Sequence, residues 1–244
     1  MSVDGWRVLG RLVDASNATF LVEDEGGRRF VHKPVAGEQP LWDFPDGTLG
    51  RREVAAHMLS EQLGLDVVPR TSWVEGPFGE GSLQEFVDGT LSSTVNLLRP
   101  EELDEGWLPV ASFVDEHGAP LVLAHRDDER LRRIALFDVL ANNADRKAGH
   151  LIEAADGRLL GVDHGLTLHR LDKLRTVAWG FRGMPLSDDE LAVVRAAAGI
   201  VSPLSPGLAD AEWEAVVARA LRLLREGVFP SPGDGWPSIP WPPF

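Results

Sequence analysis

No cysteine occurs among the 244 residues, which excludes disulfides and thiolate zinc sites and fits a reducing cytoplasm. Apolar runs of the roughly 20 residues that a membrane-spanning helix needs are missing too, so no such span is expected. The opening MSVDGWRVLG has neither the basic nor the apolar region of a secretory signal. Positive charge is scarce: 24 Lys and Arg stand against 38 Asp and Glu, a formal net charge of −14. The densest basic clusters, RLRR at 130–133 and HRLDKLR at 169–175, are short and mixed. They are too thin to neutralise a nucleic-acid backbone, and an anionic bilayer would repel the chain. These absences point to a cytoplasmic protein whose partner is a small molecule or another protein.

What is present is ordinary for a globular chain, with 43% hydrophobic and 25% charged residues. The first ninety residues read as β-rich with one helix. WRVLGRLVD and TFLVE alternate apolar and polar residues around the turn-prone ASNA, and a third strand, RRFVHKP, ends at Pro34. After a polar loop, RREVAAHMLSEQLG places Val54, Met58, Leu59 and Leu63 on one helical face, with Gly64 as the stop. RTSWVE and SLQEFV make a further hairpin. From about Asp88 the stretch TLSSTVNLLRPEELDEGWLP reads as a linker into an irregular region. ERLRRIALFDVLANN is helical, the Asp156-Gly157 pair marks a hairpin turn, and Ser187 with Glu190 forms a capping box before another helix. DAEWEAVVARALRLLREG is amphipathic, and the tail FPSPGDGWPSIPWPPF is too rich in proline for helix or central strand. The expected layout is three parts: a small β-rich lobe over 1–88, a larger mainly helical lobe over 89–230, and a Pro/Trp tail over 231–244.

Four elements could carry chemistry. The loop GRLVDASNATF, with Ser16, Asn17 and Thr19, has the small polar residues that can present N–H and O–H groups to a phosphate, although most such loops are only turns. Lys33 closes a strand; it is either solvated or a fixed charge for nucleotide phosphates. Glu53, in the first turn of the following helix, could hold that lysine or merely complement the helix dipole. The stretch NNADRKAGHLIEAADGRLLGVDHG then brings Asp145 and Asp163 together across a hairpin. An Asp followed five residues on by a metal-binding group, and then an Asp-x-Gly after a strand, is the phosphotransfer arrangement of kinase catalytic loops. The first carboxylate orients or deprotonates the attacking hydroxyl, and the second holds the divalent cation, since hard cations want carboxylate oxygens.

In these segments, together with FVHKPVAGEQPLWDFPDGTL, REVAAHMLSEQLG and LQEFVDG, the chain resembles a bacterial branch related to phosphatidylinositol 3- and 4-kinases, in particular an actinobacterial family of kinase-like proteins. The resemblance spans roughly residues 5 to 230 and implies an α+β, two-lobed, protein-kinase-like fold. It also implies ATP as cofactor with Mg²⁺ or Mn²⁺. DASNAT, with Ser16 and Asn17, would be the phosphate loop, Lys33 the nucleotide-phosphate lysine and Glu53 its partner. Gln84, Glu85, Phe86 and Val87 would form the hinge that meets adenine. Asp145 would be the catalytic aspartate, with Lys147 adding charge near the γ-phosphate, and Asp163 the metal ligand.

One departure stands out. Lipid kinases of this type carry Asp-Arg-His-x-x-Asn, whereas this chain reads Asp145-Arg146-Lys147-Ala148-Gly149-His150. Imidazole is a poor ligand for Mg²⁺ and a better one for Mn²⁺ or Zn²⁺, so the metal preference is altered at His150, or Asn142 or Asn143 compensates, or transfer is weak. Three functions follow: an ATP-dependent phosphotransferase acting on a soluble small molecule or a protein, not a phosphoinositide; an ATP-binding relative with little transfer; and a metal-dependent hydrolase using Asp145, His150, Asp163 and His164, with His169 as a further ligand. Transfer of a nucleotidyl group in place of a phosphoryl group would use similar machinery.

Overall fold

A computed structural model describes residues 2–3, 5–12, 17–45, 47–201, 205, 207–233 and 237–244. Ser16, expected to meet phosphate, lies outside the described residues. Six strands form one antiparallel sheet: β1 (Ser2–Val3), β2 (Trp6–Arg11), β3 (Phe20–Glu23), β4 (Arg29–Pro34), β5 (Thr71–Gly76) and β6 (Gly79–Glu85). Their order is β1-β2-β3-β4-β6-β5. Alternation decides which face each side chain takes. In β4, Phe30 and His32 turn into the sheet's inner side, so Lys33 and Val31 turn the other way. A small cluster of Val22, Phe30 and Leu83 sits under this sheet.

Helix α1 (Leu49–Gln62) connects β4 to β5 and starts two residues earlier than the periodicity suggests. Its first N–H groups, on Leu49 and Gly50, have no partner within the helix and donate to the Glu38 carboxylate at 3.1 and 2.8 Å, a cap supplied from the preceding loop. Glu53 therefore falls in the second turn, not the first, and its position is not explained by the helix dipole. The helix ends as expected: Gly64 takes φ +63°, the left-handed conformation that glycine adopts without steric cost. The buried face of α1, through Ala55, Ala56, Leu59 and Leu63, belongs to the large hydrophobic cluster built by the C-terminal helices.

The region expected to be an irregular linker is instead β-structure. It contains β7 (Gly89–Leu91), β8 (Val95–Leu98), β9 (Trp107–Val114) and β10 (Pro120–Arg126), with β8, β10 and β9 forming a three-stranded sheet. The β9–β10 hairpin turns at Asp115, whose carboxylate accepts the N–H groups of His117 and Ala119. Helix α2 (Glu129–Ala141) follows, then β11 (Leu151–Ala154) and β12 (Leu159–Gly161), which join β7 in the order β12-β11-β7. Helices α3 (Asp188–Ala198) and α4 (Asp210–Glu226) complete the described helices, and α3 carries the expected Ser187–Glu190 capping box. The second region thus holds two three-stranded sheets beside its three helices and is less helical than the sequence suggested. Residues 237–244 run without regular structure over it; Ser238 O accepts the N–H of Thr176 at 3.1 Å and the Trp179 indole N–H at 2.7 Å. Among the described residues no helix is long and apolar enough to cross a membrane.

Candidate active site

A cavity of about 730 Å³ opens between the first sheet and the β7–β11–β12 sheet, a size suited to a nucleotide-class ligand. Its walls are apolar, with Leu12, Val31, Leu91, Ile152, Val162 and Leu166. Lys33, Asp145, His150 and Asp163 gather at its polar end.

The centre of that end is Lys33. Its ammonium contacts the Glu53 carboxylate and lies 2.8 Å from Asp163 Oδ1. Glu53 is buried, and its other oxygen accepts the backbone N–H of His164 at 3.0 Å. One carboxylate from α1 thereby positions both the lysine of β4 and the turn after β12. Asp163 holds φ +60°, uncommon for a residue with a Cβ, and 53% of its side chain remains open. Burial alone would lower the Lys33 pKa, but the Asp163 and Glu53 charges outweigh it and raise it above the ordinary lysine value. Lys33 in turn holds Asp163 well below the usual carboxylate range, against the effect of burial. For Glu53 burial dominates and pushes its pKa up, with Lys33 opposing.

Asp145 stands at the start of the loop between α2 and β11. Burial raises its pKa, while Lys147, 3.3 Å away, lowers it. Lys147 is thus an ion-pair partner of the carboxylate it follows. His150 Nε2 lies 3.7 Å from Asp163 Oδ2, too far for a hydrogen bond. Its Nδ1 is buried without a partner. Burial drives the imidazole down to about 4 despite Asp163, so it is neutral near pH 7 with a lone pair to offer. Two donors each about 2.0–2.2 Å from one ion stand roughly 3–4 Å apart, and the His150–Asp163 spacing fits that. A divalent cation is therefore compatible with this pair, although among the described residues no group of three or more His, Asp or Glu could hold one.

The neighbouring candidates are engaged elsewhere. Asn142 caps α2 at φ +53° and donates to the carbonyls of His169 and Leu171. Asn143 donates to Asp138 and accepts the Asp145 N–H. Both are buried, so neither compensates for the histidine at position 150. His164 is completely buried, with Nε2 2.7 Å from the Arg146 guanidinium. His169 Nε2 lies 3.0 Å from the Asp43 carbonyl. The four-ligand hydrolase set does not assemble around one point.

In the expected hinge, Gln84 donates its side-chain amide to Thr71 Oγ1 at 2.9 Å. The N–H groups of Glu85 and Phe86 are donated to the carbonyls of Arg70 and Arg29. Glu85, Phe86 and Val87 line the cavity, and Arg29 stacks over the Phe86 ring at 4.7 Å. Asn17 also faces the cavity, though its Oδ1 accepts the Gln39 N–H at 2.7 Å.

Sequence reasoning missed two wholly buried arginines. Arg146, inside the ADRKAGH motif but assigned no role, is wholly buried. It binds Asp138 of α2 in a fork, with Nη2–Oδ1 and Nε–Oδ2 at 2.9 Å, and donates to the Val162 carbonyl at 2.9 Å. It thus ties the Asp145 loop to the strand that leads into Asp163. A Cβ on Gly161 would meet this guanidinium at 2.8 Å, which explains the glycine. Arg52, beside Glu53, is also wholly buried; it pairs with Glu212 of α4 and donates to the Thr167 carbonyl at 2.8 Å.

No family model matches the chain. Protein Rv2133c of Mycobacterium tuberculosis is 48% identical over 255 residues, covering 97% of this chain and 91% of that protein. Among solved structures, the Golgi casein kinase aligns over 90% of this chain and 71% of its own, at 14% identity and a TM-score of 0.45. The same kinase with Mn/ADP bound gives 13% and 0.46 over the same shares. The Helicobacter pylori proinflammatory kinase CtkA covers 91% and 93%, at 10% identity and a TM-score of 0.43.

Proposed function

The chain belongs to the family of Protein Rv2133c, and from the geometry of its cleft we propose that it is an ATP-dependent phosphotransferase acting on a hydroxyl of a small molecule or a protein. The observation that carries the proposal is Lys33, held between Glu53 and Asp163 on the wall of a nucleotide-sized cavity that also holds Asp145. A lysine fixed between two carboxylates presents a charge at one point, as phosphate positioning requires. The division into lobes over 1–88 and 89–230 with a tail over 231–244, and the kinship with phosphatidylinositol 3- and 4-kinases, are part of this reading.

Lys33 would neutralise nucleotide phosphates, and Ser16 and Asn17 would cover them. Glu85 and Val87 would meet the base through backbone groups; the N–H groups of Glu85 and Phe86 are already bonded, so the base would face carbonyls or Val87. Asp145 would accept the proton of the acceptor hydroxyl, helped by burial that raises its basicity. Asp163 and His150 would hold a divalent ion, Mn²⁺ in preference to Mg²⁺, whose charge would neutralise the transferring phosphoryl. The net charge of −14 disfavours a phosphoinositide surface and suits a cytoplasmic substrate.

A second reading, ATP binding with little transfer, is favoured by Lys147, whose charge faces Asp145, and by imidazole at position 150. Calorimetric titration of ATP with Mg²⁺ and then Mn²⁺, on the wild type and on Asp163→Ala, tests the cleft. Metal-dependent binding lost in the variant supports both readings, and ADP formation with an acceptor separates them. Absence of binding with either metal would sink both.

A further inference from the structure

The catalytic loop is bordered by a second cation that the proposed roles leave idle. Arg175 is locked to that loop by its backbone: its N–H donates to the Asn143 carbonyl at 2.9 Å, and its carbonyl accepts the Arg146 N–H at 3.0 Å. Thr176 forms a parallel bridge with Arg146. The Arg175 charge therefore has a fixed place beside Asp145, near enough to lower that aspartate's pKa.

Its guanidinium is not satisfied there. Among the described residues Arg175 makes no ion pair, in a protein with fourteen more acidic than basic residues. Its single hydrogen bond is a long one, Nη2 to the Ile239 carbonyl at 3.4 Å, and Nε is buried without a partner. Arg52, Arg132 and Arg146 are each matched by a carboxylate, whereas buried Arg219, with Nη2 unpartnered, donates to the carbonyls of Leu140 and His169. A guanidinium with unmet donors, half-withdrawn from water, is costly unless an anion arrives.

The space beside this loop is confined. The 237–244 segment lies across the same loop: Pro243 O accepts the Ala148 N–H at 2.8 Å, and the Phe244 backbone lies 3.6 Å from where a Cβ on Gly149 would stand. An extended peptide laid along the loop would have to displace this segment. A small molecule would not.

We infer that the phosphate acceptor is a small anionic hydroxyl compound, whose carboxylate or phosphate is received by Arg175 while its hydroxyl faces Asp145. The inference rests on the phosphotransferase reading. In the step, the hydroxyl oxygen bonds to the γ-phosphorus of ATP, the bond from that phosphorus to the β,γ-bridging oxygen breaks, the proton passes to Asp145, and ADP leaves. Lys147, 3.3 Å from Asp145, offsets the negative charge brought together there.

The test uses protein saturated with ADP and Mn²⁺, so that the nucleotide phosphate site is filled. Glycerol 3-phosphate, D-glycerate and neutral glycerol are titrated calorimetrically into the wild type, Arg175→Gln, Arg175→Lys and the control Arg170→Gln at an exposed arginine. The expected result is binding of at least one of the two anions and not of glycerol. Affinity should fall at least tenfold in Arg175→Gln, recover in part in Arg175→Lys, and stay unchanged in Arg170→Gln. Equal anion binding by Arg175→Gln, or none by the loaded wild type, overturns the proposal. So does a short acidic serine peptide that binds where both small anions fail. Failure of ADP and Mn²⁺ to bind at all is seen in the first titration and defeats the parent reading separately.

Discussion

The backbone N–H of His164 donates to Glu53 at 3.0 Å, so the turn that sets Asp163 hangs on the same carboxylate that pairs with Lys33. Three segments distant in the chain, β4, α1 and the turn after β12, meet through one side chain. Glu53→Gln keeps an acceptor for the His164 N–H but removes the charge facing Lys33. Hydrogen bonds to charged groups contribute about 1.5–3 kcal/mol, so nucleotide affinity should fall by roughly ten- to a hundredfold with the fold retained. Titration of ADP with Mn²⁺ checks this, and unchanged affinity would remove Glu53 from the site.

Stability should depend on pH through His150. Its folded pKa is depressed to about 4 from 6.5, so between those values the unfolded chain binds a proton that the folded chain refuses. The contribution is fully present above about pH 6.5 and is lost as pH falls toward 4, on the order of 3 kcal/mol at about 1.4 per unit. His32, His125, His164 and His169 are depressed too, so His150→Asn should make the slope shallower without flattening it. Urea unfolding at intervals across this window measures the difference.

The same substitution should change the metal. Asparagine offers a hard amide oxygen in place of imidazole, so His150→Asn should shift nucleotide binding from Mn²⁺ toward Mg²⁺. The ratio of affinities for ADP with the two ions is the readout. An unaltered ratio would show that His150 is no ligand.

Arg52 and Glu212 are each other's charge partners in the core. Removing one leaves a buried charge unmatched, which typically costs about 3–5 kcal/mol, whereas an apolar pair is often near neutral. Arg52→Met and Glu212→Leu should each destabilise strongly, and the double variant should recover most of the loss. Denaturant midpoints of the four proteins close the cycle; additive losses would contradict the pairing.

Much of this was legible in the sequence, for reasons that particular residues show. The β4 strand alternates cleanly because one face is covered, and the order Lys33, Glu53, Asp145, Asp163 is visible as residue type and spacing. The β9 strand was not visible: its residues are mostly half-buried or exposed on both faces, so no apolar stripe marks it. Glu38 capping α1 and Arg146 forking onto Asp138 leave no local trace, since any of the chain's acids could have been the partner. Arg175 lies in a short basic cluster whose sequence reads only as a surface for polyanions.

The Arg52–Glu212 contact joins residues 160 positions apart. Contacts of such separation form late, because the loop they close must be ordered before they give any return. Arg52, on the helix that carries Glu53, finds its charge partner only when the distant α4 has docked. Binding of ADP during refolding should therefore trail the recovery of helical signal, appearing in the slowest phase that completes the core.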